Sequence, residues 1–192
     1  VTLKTELSPQ GRLYLVILGE SADDRKSTAI NKTVDFFINA LGDDFHVCFG
    51  VGSAEGLQRR FLQNSNILLV YDELKAFVGK AKVDGSVLLP CVCTLFESNR
   101  YESNTKDREI NLTNACLSIV AASTIETYER TWDAAFQDIG MTNRLLIVPG
   151  QGKRQHAIPG RVPKNEWELM KSDLRKIVNT ALSTTELDIT TE

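Results

Sequence analysis

Apolar positions along the chain fall into two alternating patterns. Five short, nearly continuous runs, LYLVIL (13–18), FHVCFGV (45–51), NILLVYDE (66–73), ACLSIVAAST (115–124) and RLLIVPG (144–150), predict β-strands, the first and third of them buried. The stretches between them carry helical spacing. One helix is expected from about Lys26 to Ala40, with Ile30, Val34, Phe37, Ile38 and Leu41 on one side. A second follows Ser53, a residue suited to an N-cap. ELKAFVGKA, SVLLPCVCTLFES and IETYERTWDAAFQD complete the set, with Pro90 either kinking its helix or marking the start. The polar stretch 99–114 is rich in turn formers and reads as a loop or a hairpin. Strands that alternate with helices predict an α/β three-layer sandwich around a mostly parallel five-stranded sheet. In such sheets ligands sit at the carboxyl ends of the strands.

Past Gly150 the pattern changes. GQGKRQHAIPGRVPK is irregular and basic, NEWELMKSDLRKIVNTAL has the spacing of one amphipathic helix, and the tail is polar. The expected organisation is a core over 1–150, followed by a basic linker and a C-terminal helix over 151–192.

Composition narrows the function classes only a little. The 192 residues are 42% hydrophobic and 24% charged, with a net charge of −3, values of an ordinary globular domain rather than a strongly basic nucleic-acid binder. No apolar run approaches the roughly 18 residues that span a bilayer. Cys48, Cys91, Cys93 and Cys116 all lie in apolar stretches, where a thiol acts as a small buried hydrophobe. The CVC spacing does not suit zinc, and His46 and His156 stand apart. A reducing, cytoplasmic setting is the expectation. The opening on Val1 without an apolar signal core reads as a piece cut from something longer.

Chemistry-bearing residues follow the strands. After LYLVIL comes GESADDRKST, from Gly19 to Thr28. A strand, a turn opened by Gly19 and a helix starting at Lys26-Ser27-Thr28 supply what a phosphate needs: backbone N–H groups, an ammonium for the terminal phosphates and a hydroxyl for Mg2+. The usual phosphate loop carries a second glycine immediately before its lysine; here Arg25 stands there, and the loop is one residue longer. Asp23 and Asp24 repel a triphosphate if they point inward, so the reading needs both turned outward. The same residues also suit an N-capped strand-to-helix turn.

NILLVYDE ends in Asp72 and Glu73. In a triphosphatase site the first acid holds Mg2+ through water and the second polarises the attacking water. Ser123 and Thr124, at the end of the fourth strand, are placed to lie between that acid pair and the terminal phosphate as a sensor, or to cap the next helix. Arg144, just before the last strand, is placed to reach a neighbouring subunit's phosphate as an arginine finger, or to pair with Asp138 at the surface.

The order GESADDRKST, GVGSAEGL, LLVYDEL, LSIVAASTIE and GMTNRLLIVPG resembles the helicase-like P-loop domains of a poorly characterised family. That family is associated with primases in phage, plasmid and bacterial mobile-element replication proteins. The Ser-x-Glu-Gly-Leu stretch at Ser53–Leu57 is part of the resemblance, which spans about residues 12 to 150. It implies a RecA/AAA-like ATPase core using ATP and Mg2+ and acting on single-stranded DNA as an oligomer, a hexameric ring in the extreme, beside a primase or other domains. Lys26 would then serve the phosphates, Ser27 and Asp72 the Mg2+, Glu73 the water, Ser123 or Thr124 the sensor role, and Arg144 the finger. Helix 164–182 would be a partial lid.

The stretch 99–114 is the expected nucleic-acid contact, because Arg100, Lys106 and Arg108 stand beside Tyr101, a mixture suited to a single strand. Glu102, Asp107 and Glu109 nearly cancel that charge and equally suit a solvated loop. Two other readings stay open: a nucleotide-binding or structural module with a degenerate loop and no hydrolysis, and a small P-loop kinase.

Overall fold

The computed structural model describes residues 2–3, 11–20, 24–105, 108–132, 134–150, 160–184 and 186–187. In chain order the strands are β1 (Thr2–Leu3), β2 (Tyr14–Gly19), β3 (Val47–Cys48), β4 (Asn66–Tyr71), β5 (Tyr101–Thr105), β6 (Arg108–Leu112), β7 (Cys116–Thr124), β8 (Leu145–Pro149) and β9 (Glu186–Leu187). The helices are α1 (Lys26–Leu41), α2 (Ala54–Phe61), α3 (Leu74–Ala81), α4 (Leu88–Glu97), α5 (Ile125–Thr131), α6 (Ala134–Asp138) and α7 (Lys164–Ser183). Among the described residues no helix is long and apolar enough to cross a membrane.

The chain divides into two compact units, one of Arg12–Asn31 and His46–Lys153, the other of Val1–Gly11, Lys32–Phe45 and Arg154–Glu192.

The larger unit holds the five-stranded sheet, in the order β3-β4-β7-β2-β8 with every pairing parallel. Helices flank it, because parallel neighbours need a crossover between them. Two-residue periodicity sets its buried face. Tyr14 and Val16 on β2, Ile119 and Ala121 on β7, and Leu69 and Tyr71 on β4 come into register as rows and are buried. Against them lie Leu57, Phe77, Leu88, Val92 and Leu95 from the helices, and Ile110 and Leu112 from the hairpin. Tyr14 is fully buried, so its hydroxyl requires a partner and donates to the Val92 carbonyl at 2.8 Å, with its ring edge-on to Phe96.

Two elements depart from the sequence pattern, and two open readings are resolved. The run 45–51 keeps only two strand residues, since Gly50 adopts φ +82° and its N–H turns back to the Cys48 carbonyl. The helix expected over 125–138 breaks at Trp132, which is extended and packs its ring between Tyr128 and Phe136. Pro90 marks the start of its helix, as the third residue of α4, where a missing N–H costs nothing. The stretch 99–114 is a hairpin, β5 against β6, whose tip residues 106–107 lie outside the described residues.

In the smaller unit, the Trp167 ring of α7 meets Phe36 edge-on at 4.9 Å. The Arg175 guanidinium donates to the Ala40 carbonyl at 2.7 Å, satisfying an acceptor near the end of α1. β1 and β9 pair in parallel. Of the basic stretch after Gly150, residues 151–159, with Lys153 and Arg154, lie outside the described residues; Arg161 and Lys164 are exposed.

Candidate functional site at the carboxyl edge of the sheet

β2 ends at Gly19 and α1 begins at Lys26; between them residues 21–23, Asp23 included, lie outside the described residues. Arg25, where a phosphate loop has its second glycine, adopts φ +45°. That is the left-handed conformation glycine reaches without strain, so the backbone turns here as the missing glycine would turn it. The turn lets the Arg25 carbonyl accept the first α1 hydrogen bond, from Ala29 N–H at 2.9 Å. Lys26 is buried, and its ammonium donates to the carbonyls of Gly19 at 3.0 Å and Glu20 at 2.6 Å. Two of its three protons face the loop's own oxygens. Thr28 is exposed on the first turn of α1.

Asp24 does not point outward. Its carboxylate folds back to accept the Glu20 N–H at 2.5 Å and lies over the Cα of Gly19. A Cβ on Gly19 would stand 2.3 Å from that carboxylate oxygen and 2.9 Å from the Gly150 carbonyl. Gly19 is needed because the loop closes on this spot, a reason that the motif spacing alone does not reveal.

The acids stand two strands away. Asp72 and Glu73 follow β4 and are exposed, and the Ser27 hydroxyl donates to the Asp72 backbone carbonyl at 3.2 Å. The lysine-serine turn and the acid pair are therefore in direct contact. β7 runs between β2 and β4. Its register pairs Ala121 with Tyr71 and Leu18 with Ser123, so two residues further along Ser123 is level with Glu73. The Ser123 hydroxyl, buried, reaches a Glu73 carboxylate oxygen at 3.2 Å and the Thr124 carbonyl at 3.1 Å; its single proton has two acceptors. Thr124 is occupied otherwise, capping α5 by accepting the Thr127 N–H at 3.1 Å. Of the two residues left open by the sequence, Ser123 is the one that meets the acid pair.

Arg144 is not with this group. It precedes β8 and so stands at the amino-terminal edge of the parallel sheet, where its side chain is 19% exposed. The guanidinium pairs with Glu97 at 2.5 Å, not Asp138, and donates to the carbonyls of Gly140 at 2.8 Å and Ile139 at 3.2 Å. Its buried Nε has no partner among the described residues. Held by three groups of its own chain, Arg144 is a strut between α4 and the turn before β8.

Of the expected nucleic-acid residues, Arg100 and Tyr101 are the ones whose side chains are described. The hairpin is rooted at the same amino-terminal edge, where Ala115 N–H bonds the Asn99 carbonyl just before β7. Tyr101 packs on the core, its hydroxyl 3.5 Å from the Val87 carbonyl, and burial raises its pKa. Its ring is therefore turned away from a stacking role. Arg100 is exposed; Lys106 and the side chain of Arg108 lie outside the described residues.

One feature was missed in the sequence. A cavity of about 480 Å3 opens beside the acid pair, between the 49–52 turn, the end of β4, and Ala76 and Lys80 of α3. The Tyr71 hydroxyl accepts the Val51 N–H at 3.1 Å, and the Tyr71 ring lies beneath Gly50, fixing this turn. The two glycines in FGVG were the available signal. Among the described residues no cluster of three or more His, Cys, Asp or Glu side chains is arranged to hold a metal. A scan against models of known protein families finds no match for this chain, and a search of curated proteins finds none either.

Proposed function

We propose that the carboxyl edge of the sheet binds ATP with Mg2+ and hydrolyses it. The observation that carries this reading is the Ser123–Glu73 hydrogen bond on a strand lying between the lysine loop and the acid strand. A surface turn and an acidic helix start have no need of a buried hydroxyl aiming one carboxylate. The left-handed Arg25, the buried Lys26 and the Ser27–Asp72 contact support it further.

In this reading Lys26 exchanges its loop carbonyls for phosphate oxygens and offsets their charge. Ser27 and Asp72 supply the oxygen ligands that suit Mg2+, which typically shares its shell with waters and substrate phosphates. Bound there, Mg2+ would neutralise charge on the phosphates. Glu73 accepts a proton from water as the water oxygen bonds to the terminal phosphorus and the bridging P–O bond breaks, leaving the diphosphate and phosphate. Ser123 holds Glu73 in place.

A role as the motor of a replication or mobile-element protein, working as an oligomer on single-stranded DNA beside a primase, rests on the motif resemblance. Arg144 enters this proposal as a strut and not as a finger. A second reading, nucleotide binding without turnover, draws on Asp24, whose charge already lies in the loop. Titration calorimetry with ATP, with and without Mg2+, tests the proposal. Mg2+-dependent binding lost in Lys26→Ala is expected; equal binding by that variant would refute it.

A further inference from the structure

We propose that Asp24 is an internal competitor for the phosphate, a latch on the Glu20 N–H that the nucleotide must displace. This rests on the reading of the Lys26 loop as a phosphate site. An anion is already seated in the loop: the Asp24 carboxylate takes the Glu20 N–H at 2.5 Å and occupies the space left by the missing side chain of Gly19. The cation that would meet a phosphate is engaged on the same two residues, through the carbonyls of Gly19 and Glu20. The Glu20 N–H and the Lys26 ammonium are thus both engaged, beside the left-handed turn at Arg25.

A triphosphate cannot take the Glu20 amide while Asp24 holds it, and two like charges in one loop repel. Nucleotide binding therefore requires Asp24 to swing out, and the measured affinity is the intrinsic one reduced by the open fraction. The two acids in GESADDRKST are then not a flaw in a phosphate loop. At least Asp24 sets its affinity low, so that weak or partial ligands do not open it.

The test measures Mg-ATP and inorganic pyrophosphate affinity by calorimetry for the full chain and for Asp24→Asn, Asp24→Ala and Lys26→Ala, with thermal melting as a folding check. Asparagine keeps an acceptor for the Glu20 N–H but removes the charge, so it preserves the loop where alanine loosens it. A charge-assisted hydrogen bond of the usual strength predicts binding about ten- to a hundredfold tighter in Asp24→Ala, with Asp24→Asn between it and the parent. Binding seen only in the Asp24 variants, and lost again when Lys26→Ala is added, supports the latch as well. A purely structural Asp24 would lower affinity and melting temperature together. Unchanged or weaker affinity in both Asp24 variants, with the parent still binding through Lys26, overturns the latch and leaves the nucleotide reading standing. Absence of binding in every variant overturns both.

Discussion

The Ser123 hydroxyl meets a Glu73 carboxylate oxygen at 3.2 Å, tying the carboxyl ends of two adjacent parallel strands together. Ser123 is buried and Glu73 is exposed, so the hydroxyl acts on the carboxylate's direction. Ser123→Ala should lower the turnover rate about tenfold with little change in nucleotide affinity, while costing roughly 1 kcal/mol of stability. Steady-state kinetics beside urea unfolding check this; a change in affinity alone would speak against the assigned role.

Gly19→Ala should destabilise the protein by about 1–3 kcal/mol, the cost of forcing atoms into a closed site. Adding Asp24→Ala should recover part of that loss only, because the Gly150 carbonyl remains 2.9 Å from the new Cβ. Melting curves of the single and double variants measure it. Full recovery would mean that the β8 end does not press on the loop.

Arg144→Ala should lose about 2 kcal/mol of stability, because it strips two backbone carbonyls and Glu97 of their shared donor. Arg144→Lys should not restore it, since one ammonium cannot reproduce the fork. Urea midpoints test both. Activity regained on mixing Arg144→Ala with Glu73→Gln protein would contradict the strut and restore the finger.

Alkaline pH should weaken the fold. Burial, and then the neighbouring Cys93, push the Cys91 thiol up to about 12, and burial also raises Tyr14 well above its ordinary value. An unfolded thiol releases its proton near its ordinary pKa of about 8.5. A group raised in the folded state contributes stability fully below that unfolded value and loses it as pH climbs toward the folded one. Stability should therefore fall from about pH 9 toward 12, and Cys91→Ala should flatten the slope. Urea midpoints across that range decide it; an unchanged slope in the variant would remove Cys91 as a cause.

Much of the sheet was legible because β2, β4 and β7 are nearly continuous apolar runs of strand length bounded by polar and turn-forming residues. The acid pair and the lysine turn were legible for the same reason: each directly follows such a run. Strand order was not, because pairing between crossovers leaves no local mark. Nor was the partner of Arg144, since Glu97 lies 47 residues away. The inward turn of Asp24 engages the Glu20 N–H, and sequence spacing says nothing of where that N–H points. Tyr101 looked available for stacking because a polar strand hides which of its alternate residues face the core.

The central claim is that Lys26, Ser27, Asp72, Ser123 and Glu73 form one triphosphate site, and ATP hydrolysis with and without Mg2+ tests it most directly. The expected result is Mg2+-dependent phosphate release by the parent chain, abolished in Lys26→Ala and in Glu73→Gln, the latter still binding ATP. Phosphate release that persists unchanged in Lys26→Ala would contradict it.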